Sequence, residues 1–417
     1  MEQKQYRHIG VSLEQAKALM EQYLPKGERC KELVALPEAL GRIAAEDYIS
    51  PIFQPPFPRS PLDGYAVRSD DIKGASREHP AVLTVTEEVD AGGYPSSELS
   101  RGKAVRIMTG APIPEGADCI VKQEETDYGE EEVQIYQEHP AYDNYCYRGE
   151  DFKKGDCLVK KGTRITYVEL GLLAGMGYDQ VSVFQRPKVA VFATGDELTD
   201  PGKPLLPGKI YNSNLYLLMG RIREMGGEIT ASGIVPDNEE EAARVLKASI
   251  TKADLVVTTG GVSVGKRDII HGALEVLGAE KIFWKVQVKP GTPTVFSIAE
   301  RTPVISLSGN PFGAVANLEL LVSPLLHSMM GDHSLLPRRK AVLEDGFPKG
   351  GKVRRIVRGY YRDGKVYLPK GLHSSGAISS MRGCNCLLDI PSGSKGLSKG
   401  DTVEVILILG MEAGIWN

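Results

Sequence analysis

With 417 residues, 41% of them hydrophobic and 25% charged, the chain is too long for a single ordinary core and too apolar to be disordered, so three or four folded domains are expected. No uninterrupted apolar run approaches the ~18 residues of a bilayer span, and the polar first ten residues lack a signal-peptide core, which points to a soluble cytoplasmic protein with no membrane role. The net charge of −4 hides an acidic block at 124–151 (ten acids, one base) and a basic block at 338–370 (eleven bases, three acids); such blocks are ordinarily solvated faces, so no nucleic-acid partner is expected.

Along the chain, Ser12 and Gln15 form a capping box ahead of Leu13, Ala16, Leu19, Met20, Tyr23 and Leu24 at helical spacing. A second short helix is expected over 38–47, closed by the prolines at 51, 55, 56, 58 and 61. Short strands and Gly/Pro turns then run to about residue 147 and predict a small β domain, inserted between 1–50 and 148–184 if the helical stretch near 168–176 rejoins the N-terminal helices. From 185 to 334 apolar strands (188–193, 229–235, 255–258, 283–288, 304–307) alternate with amphipathic helices. That alternation specifies a doubly wound, mostly parallel α/β domain, with ligands at the carboxyl ends of its strands. Residues 335–417 return to short strands and predict a closing β-barrel or sandwich. The six cysteines (30, 119, 146, 157, 384, 386) include no CxxC and are expected as reduced, mostly buried thiols, with Cys384 and Cys386 as a core pair.

Four strand ends of the α/β domain carry polar loops. Thr194-Gly195-Asp196-Glu197 sets adjacent acids beside a glycine, as a Mg²⁺ site sharing its shell with phosphate and water requires, although a plain polar turn has the same composition. Gly260, Gly261, Ser263 and Gly265 stand between a strand and a helix expected from about Asp268, where free backbone N–H groups attract an anion. Gly260 to Lys266 fits the first part of a Walker A motif, but Arg267 replaces its Ser or Thr, which argues against a P-loop. Ser308-Gly309-Asn310-Pro311 opens an apolar helix with Asn310 as N-cap, with or without an anion site. Asp237 reads first as a helix cap boxed by Glu240. Alternation over 285–289 sets Lys285 and Lys289 on one face of a strand; such a pair is usually solvated surface, but beside a phosphate loop it is better explained as a clamp on a polyanion.

Taken together, SPLDGYAV from Ser60, IMTGAPIP from Ile107, RGEDF from Arg148, TGDEL from Thr194, GGVSVGKRD from Gly260, VKPGTP from Val288 and SGNP from Ser308 resemble the molybdopterin molybdenumtransferase family, of the MoeA and gephyrin E-domain type. The resemblance covers nearly the whole chain. It implies insertion of molybdate into the dithiolene of adenylylated molybdopterin with Mg²⁺-assisted release of AMP, in a homodimer whose site joins the central domain of one subunit to the β insert of the other. It also implies contact with a molybdopterin adenylyltransferase and with apo-molybdoenzymes. By motif position Asp63, Thr109, Asp151, Glu197, Lys285 and Lys289 carry over as catalytic residues, and Glu197, Asp237 and Asp268 as ligands or orienters of Mg²⁺. The chain departs from the family's wording at Pro61-Leu62, Lys266, Thr292 and Ser306-Leu307-Ser308, and Thr292 leaves molybdate against tungstate open. An adenylyltransferase and a non-catalytic scaffold on the same fold are the alternatives; ATP-dependent adenylylation, or peptide binding without metal insertion, would mark them.

Overall fold

The computed structural model describes residues 6–24, 29–263, 269–332, 336–371 and 374–408. The chain packs as two units: one comprises Met1–Leu33, Gly41–Ala45 and Ser182–Asn417, the other Val34–Leu40 and Glu46–Val181.

The first unit is built on a seven-stranded sheet of β1 (His8–Val11), β2 (Lys188–Thr194), β3 (Glu228–Val235), β4 (Leu255–Thr259), β5 (Glu280–Val286), β6 (Val295–Ala299) and β7 (Thr302–Leu307), in the order β1-β5-β6-β7-β4-β2-β3. Pairing is parallel except around β6, which runs antiparallel to both β5 and β7. The helices are α1 (Leu13–Gln22), α2 (Asn214–Glu224), α3 (Glu239–Ile250), α4 (Ile270–Val276) and α5 (Pro311–Met329), the last carrying a π turn at Leu318–Val322. Strand alternation explains why both faces are covered. Val189, Val191 and Ala193 of β2 pack in one core with α1, α2 and α5, while Ala190 and Phe192 pack in another with α3 and α4. Each fully buried Leu of the first core, such as Leu218, stabilises the fold by roughly 1.5–3 kcal/mol.

Local sequence fixes the helix starts. Ser12 and Gln15 form the expected capping box of α1. The cap of α3 is Asn238, whose side chain accepts the Glu241 N–H at 2.8 Å. Asp237 is therefore not the cap, and it lines the strand-end pocket described below. Pro311 takes the first position of α5 after Asn310. By length and composition α5 could cross a membrane, but 83% of its apolar window is buried inside the structure, so it is a core helix.

The carboxyl-terminal strands close into a barrel. Arg354–Arg362 pairs with Lys365–Tyr367, that strand with Arg338–Leu343, then Thr402–Leu407, then Cys386–Ile390, which returns to Arg354–Arg362. Some of its cations are paired: Arg338 with Asp389 and Glu404, Arg354 with Asp389 and with Glu14 of α1, Lys365 with Glu344.

The second unit holds a five-stranded sheet in the order Cys119–Lys122, Gly64–Val67, Lys103–Ile107, Ala81–Val89, Glu132–Ile135, and the helix Tyr167–Gly175. Both faces of that sheet are filled, by Tyr65, Val67 and Val121 on one side and Ala66, Val105 and Ile120 on the other.

Three expectations need correction. The stretch 38–47 forms only a 3₁₀ turn, Leu36–Ala39, because Gly41 adopts φ +75° and ends it. Lys285 and Lys289 do not share a strand: Lys285 belongs to β5, whereas Val288–Lys289 pairs with the barrel strand at Arg354 and Arg355. Of the thiols, Cys119, Cys384 and Cys386 are buried, whereas Cys30 and Cys157 are exposed.

Candidate functional site

The carboxyl ends of β2, β4 and β7 and the turn after β3 converge on a pocket of about 740 Å³. Thr194, Gly195, Glu197, Asp237, Gly260, Gly261, Ser263, Ser308, Gly309, Asn310 and Pro311 all line it. Gly265 and Asp268 lie outside the described residues. Asp196 stands at the rim: its carboxylate accepts the Asp237 N–H at 3.2 Å, while its own N–H donates to the Asp237 carboxylate at 3.4 Å. This reciprocal pair joins the β2 and β3 loops.

Gly195 is required by geometry. At φ +145° a Cβ there would lie 2.5–2.7 Å from the Glu197 carboxyl atoms, so glycine is what lets that carboxylate fold back over the loop. Glu197 and Asp237 thus face one cavity with room for a phosphate. This donor set fits Mg²⁺, which binds through one or two carboxylates and takes its other ligands from phosphate and water. Among the described residues no cluster of three or more His, Cys, Asp or Glu side chains forms a closed metal cage.

Asn214, the first residue of α2, is a site residue that sequence reasoning missed. Its Nδ2 donates to Thr259 Oγ1 at 3.1 Å and to the Gly309 carbonyl at 2.8 Å, and Thr259 Oγ1 donates to the Ser308 carbonyl at 2.9 Å. One amide therefore fixes the β4 and β7 loops to each other. The signal was present in Asn212-Ser213-Asn214 directly before an apolar helical pattern.

A second, smaller pocket of about 130 Å³ is lined by Lys289, Arg355 and Arg358, with Phe312 and Ser375. Arg358 is 2% exposed, donates to the Ser374 carbonyl at 3.0 Å and stacks 4.5 Å above the Phe312 ring. Burial pulls its pKa below the usual guanidinium value. The Phe312 N–H donates to the Ser375 carbonyl at 2.9 Å, and Gly376 and Ile378 of the same loop line the larger pocket. Three cationic side chains around a small cavity are the chemistry that a bound oxyanion would need. Lys285 lines neither pocket; its ammonium sits 4.1 Å from the Trp284 ring centre.

In the second unit the structure joins two of the predicted motifs. Ser60 N–H donates to the Ala111 carbonyl at 3.0 Å and Gly110 N–H to the Ser60 carbonyl at 2.8 Å. This places Asp63 Oδ1 2.7 Å from both the N–H and the hydroxyl of Thr109, each donating to it. Asp151 is exposed, its N–H bound to the Gln54 carbonyl at 2.9 Å.

The Thr109 hydroxyl and N–H hold the Asp63 pKa below the usual carboxylate value. A depressed acid contributes stability above its unfolded pKa and loses it as pH falls through the folded value. In Thr109→Val, Asp63 is expected to titrate closer to the ordinary range, and the small stability deficit of the variant at neutral pH should vanish in acid. NMR titration of the Asp63 carboxyl with melts at both pH values tests this; an unshifted titration would show that the hydroxyl contributes nothing.

Comparison with known proteins agrees with this layout. Residues 11–177 match the MoeA N-terminal region (domains I and II), 190–328 a probable molybdopterin-binding domain, and 340–408 the MoeA C-terminal region (domain IV). The molybdopterin molybdenumtransferase of Bacillus subtilis is 38% identical over 395 residues, covering 92% of this chain and 91% of its own. That of Staphylococcus epidermidis is 36% identical over 378 residues, covering 90% of each chain. Two solved structures of the molybdopterin biosynthesis MoeA protein of Pyrococcus horikoshii superimpose with TM-scores of 0.84 and 0.81, at 34% and 31% identity. They cover 96% and 95% of this chain and all of theirs.

Proposed function

Because the chain belongs to the MoeA family of molybdopterin molybdenumtransferases, it is a transferase of molybdenum cofactor biosynthesis acting on a molybdopterin, and we propose that it inserts molybdate into adenylylated molybdopterin with release of AMP. The observation that carries the detail is the adjacency of the two pockets. A large glycine-lined cavity suits the nucleotide and a small cationic one suits a tetrahedral oxyanion, and the loop 374–378 lines both.

In this reading Gly260, Gly261 and Ser263 take the phosphates, with Gly265 completing the loop, and Lys289, Arg355 and Arg358 hold molybdate or tungstate. Glu197 and Asp237, with Asp268, hold Mg²⁺, which when bound supplies charge stabilisation at the phosphoanhydride oxygens. Asp63 and Thr109 act from the β insert of a second copy, with Asp151 just beyond that insert, so the working form is a homodimer. The pathway neighbours are a molybdopterin adenylyltransferase and apo-molybdoenzymes, and the compartment is the cytoplasm. The same reading takes 1–50 with 148–184, 51–147, 185–334 and 335–417 as the domains; the family matches over 190–328 and 340–408 support the last two, and the match over 11–177 spans the first two together.

The test is reconstitution from purified protein, adenylylated molybdopterin, Mg²⁺ and molybdate, scored for AMP. Molybdate-dependent release is expected to fall ~100-fold or more in Glu197→Ala and Asp63→Asn, the scale seen when one electrostatic contact to developing charge is lost. In parallel, Mn²⁺ titration followed by paramagnetic resonance should show weakened ion binding in Glu197→Ala alone. Full AMP release by Glu197→Ala would remove it from the site.

A further inference from the structure

Trp284 touches both the glycine loop of the large pocket and Lys285. Its indole Nε1–H donates to the Val262 carbonyl at 3.2 Å, and Val262 lies inside the glycine loop and lines the large pocket. The Lys285 ammonium lies 4.1 Å from the centre of the same ring. Consecutive residues of a strand ordinarily point to opposite faces, which would separate Lys285 from Trp284. Lys285 instead adopts φ +68°, a left-handed conformation that a lysine rarely takes, and this breaks the alternation in β5. The backbone is pinned there, with Lys285 N–H donating to the Thr294 carbonyl at 2.9 Å and Val286 N–H to the Thr292 carbonyl at 3.0 Å.

The indole is itself held from behind. His271 at the start of α4 meets it edge-on at 5.0 Å, Tyr6 lies 6.0 Å away, and the Tyr6 hydroxyl is hydrogen-bonded to His271 Nδ1 at 2.5 Å. Ring, loop carbonyl and ammonium thus form one connected assembly.

We propose that Trp284 is a positioning residue for the transfer reaction: its N–H holds the Gly260–Ser263 loop in its ligand-receiving shape, and its ring seats the Lys285 ammonium. The first role rests on the functional reading above; the second does not. The two are separable, because phenylalanine keeps the ring and loses the donor, whereas leucine loses both.

The experiment uses the full-length dimer or monomer as purified, with Trp416→Phe as background so that Trp284 is the sole tryptophan. In Trp284→Phe, KM for adenylylated molybdopterin is expected to rise about five- to tenfold with kcat within about twofold, the effect of one lost hydrogen bond. In Trp284→Leu, kcat falls as well. Independently of activity, acetylation of Lys285 by an N-hydroxysuccinimide ester, read by mass spectrometry, should run at the parental rate in Trp284→Phe. In Trp284→Leu it should run about two- to fivefold faster, since the ring no longer covers the amine and holds it in place. Binding of adenylylated molybdopterin should shift the Trp284 emission in the parent.

An unchanged KM in Trp284→Phe overturns the loop role, and parental labelling of Trp284→Leu overturns the lysine seat. Equal unfolding midpoints for parent and Trp284→Phe exclude a merely structural effect; a lowered midpoint that accounts for the KM change overturns the positioning role. If the parent releases no AMP with molybdate, the functional reading fails and the labelling order alone decides the inference.

Discussion

Arg221→Leu is expected to destabilise the protein by ~3–5 kcal/mol at pH 8, because it leaves a buried carboxylate without its partner. Glu319 is fully buried and Arg221 only 8% exposed; Nε and one terminal nitrogen of the guanidinium reach the two carboxylate oxygens at 2.6 and 3.3 Å. A further bond at 2.9 Å runs to Glu224. The pair ties α2 to the π turn of α5, and both helices begin at the large pocket, at Asn214 and Pro311. Burial already raises the Glu319 pKa despite the arginine. Without Arg221 it rises further, so in the variant the penalty is present where Glu319 is charged and is relieved as pH falls and the carboxyl protonates. Denaturant unfolding at pH 8 and pH 5.5 should therefore show the smaller deficit in acid. Replacing both residues by leucine should recover most of the loss, since apolar substitutes of similar volume are often neutral or stabilising at such sites. A deficit independent of pH, or one equally large in the double variant, would show that packing rather than charge is at stake.

The parts of this fold visible in the sequence are those where one physical rule dominates. β2 and β4 are continuous apolar runs because they are central and covered on both faces, and the glycine and acid loops follow them directly in the chain. α1 was legible because its capping box and apolar stripe agree. β6 was not anticipated, since its antiparallel course between β5 and β7 is set by pairing partners rather than by periodicity. The split of Lys285 and Lys289 between two sheets was hidden for a related reason: a lysine at positive φ has no sequence signal. Asp237 looked like a cap because Glu240 completes the pattern, yet Asn238 competes for the same role one residue later and takes it. Arg355 and Arg358 escaped notice inside a basic block that reads as a solvated face. Only closure of the barrel and the approach of Phe312 turn Arg358 inward while leaving its neighbour Arg354 to Glu14 and Asp389.

Gly260→Ala is expected to cost the transfer reaction ~100-fold or more while leaving the protein folded, the scale associated with displacing a positioned group by about 1 Å. Gly260 sits at φ +95°, and a Cβ there would lie 2.5 Å from the Thr194 carbonyl oxygen and 2.8 Å from Thr194 Oγ1. The Thr194 backbone is held, because Thr194 pairs with Val235 of β3 and the residues before it, 189–193, also pair with β4. The loop must move instead, and it carries Gly261, Val262 and Ser263 with it, all of which line the pocket. The Gly260 N–H bond to the Leu307 carbonyl at 3.1 Å would open in the process, loosening the contact between the β4 and β7 ends. Gly278→Ala is the matched control: Gly278 also has positive φ, at +68°, but nothing within 4 Å of its Cβ position. It should lose stability of order 1–3 kcal/mol from backbone strain with activity retained. Comparing AMP release and unfolding midpoints of the two variants separates the contact from the strain. Near-parental release by Gly260→Ala would mean that the loop tolerates displacement, and that the phosphates are held elsewhere in the pocket.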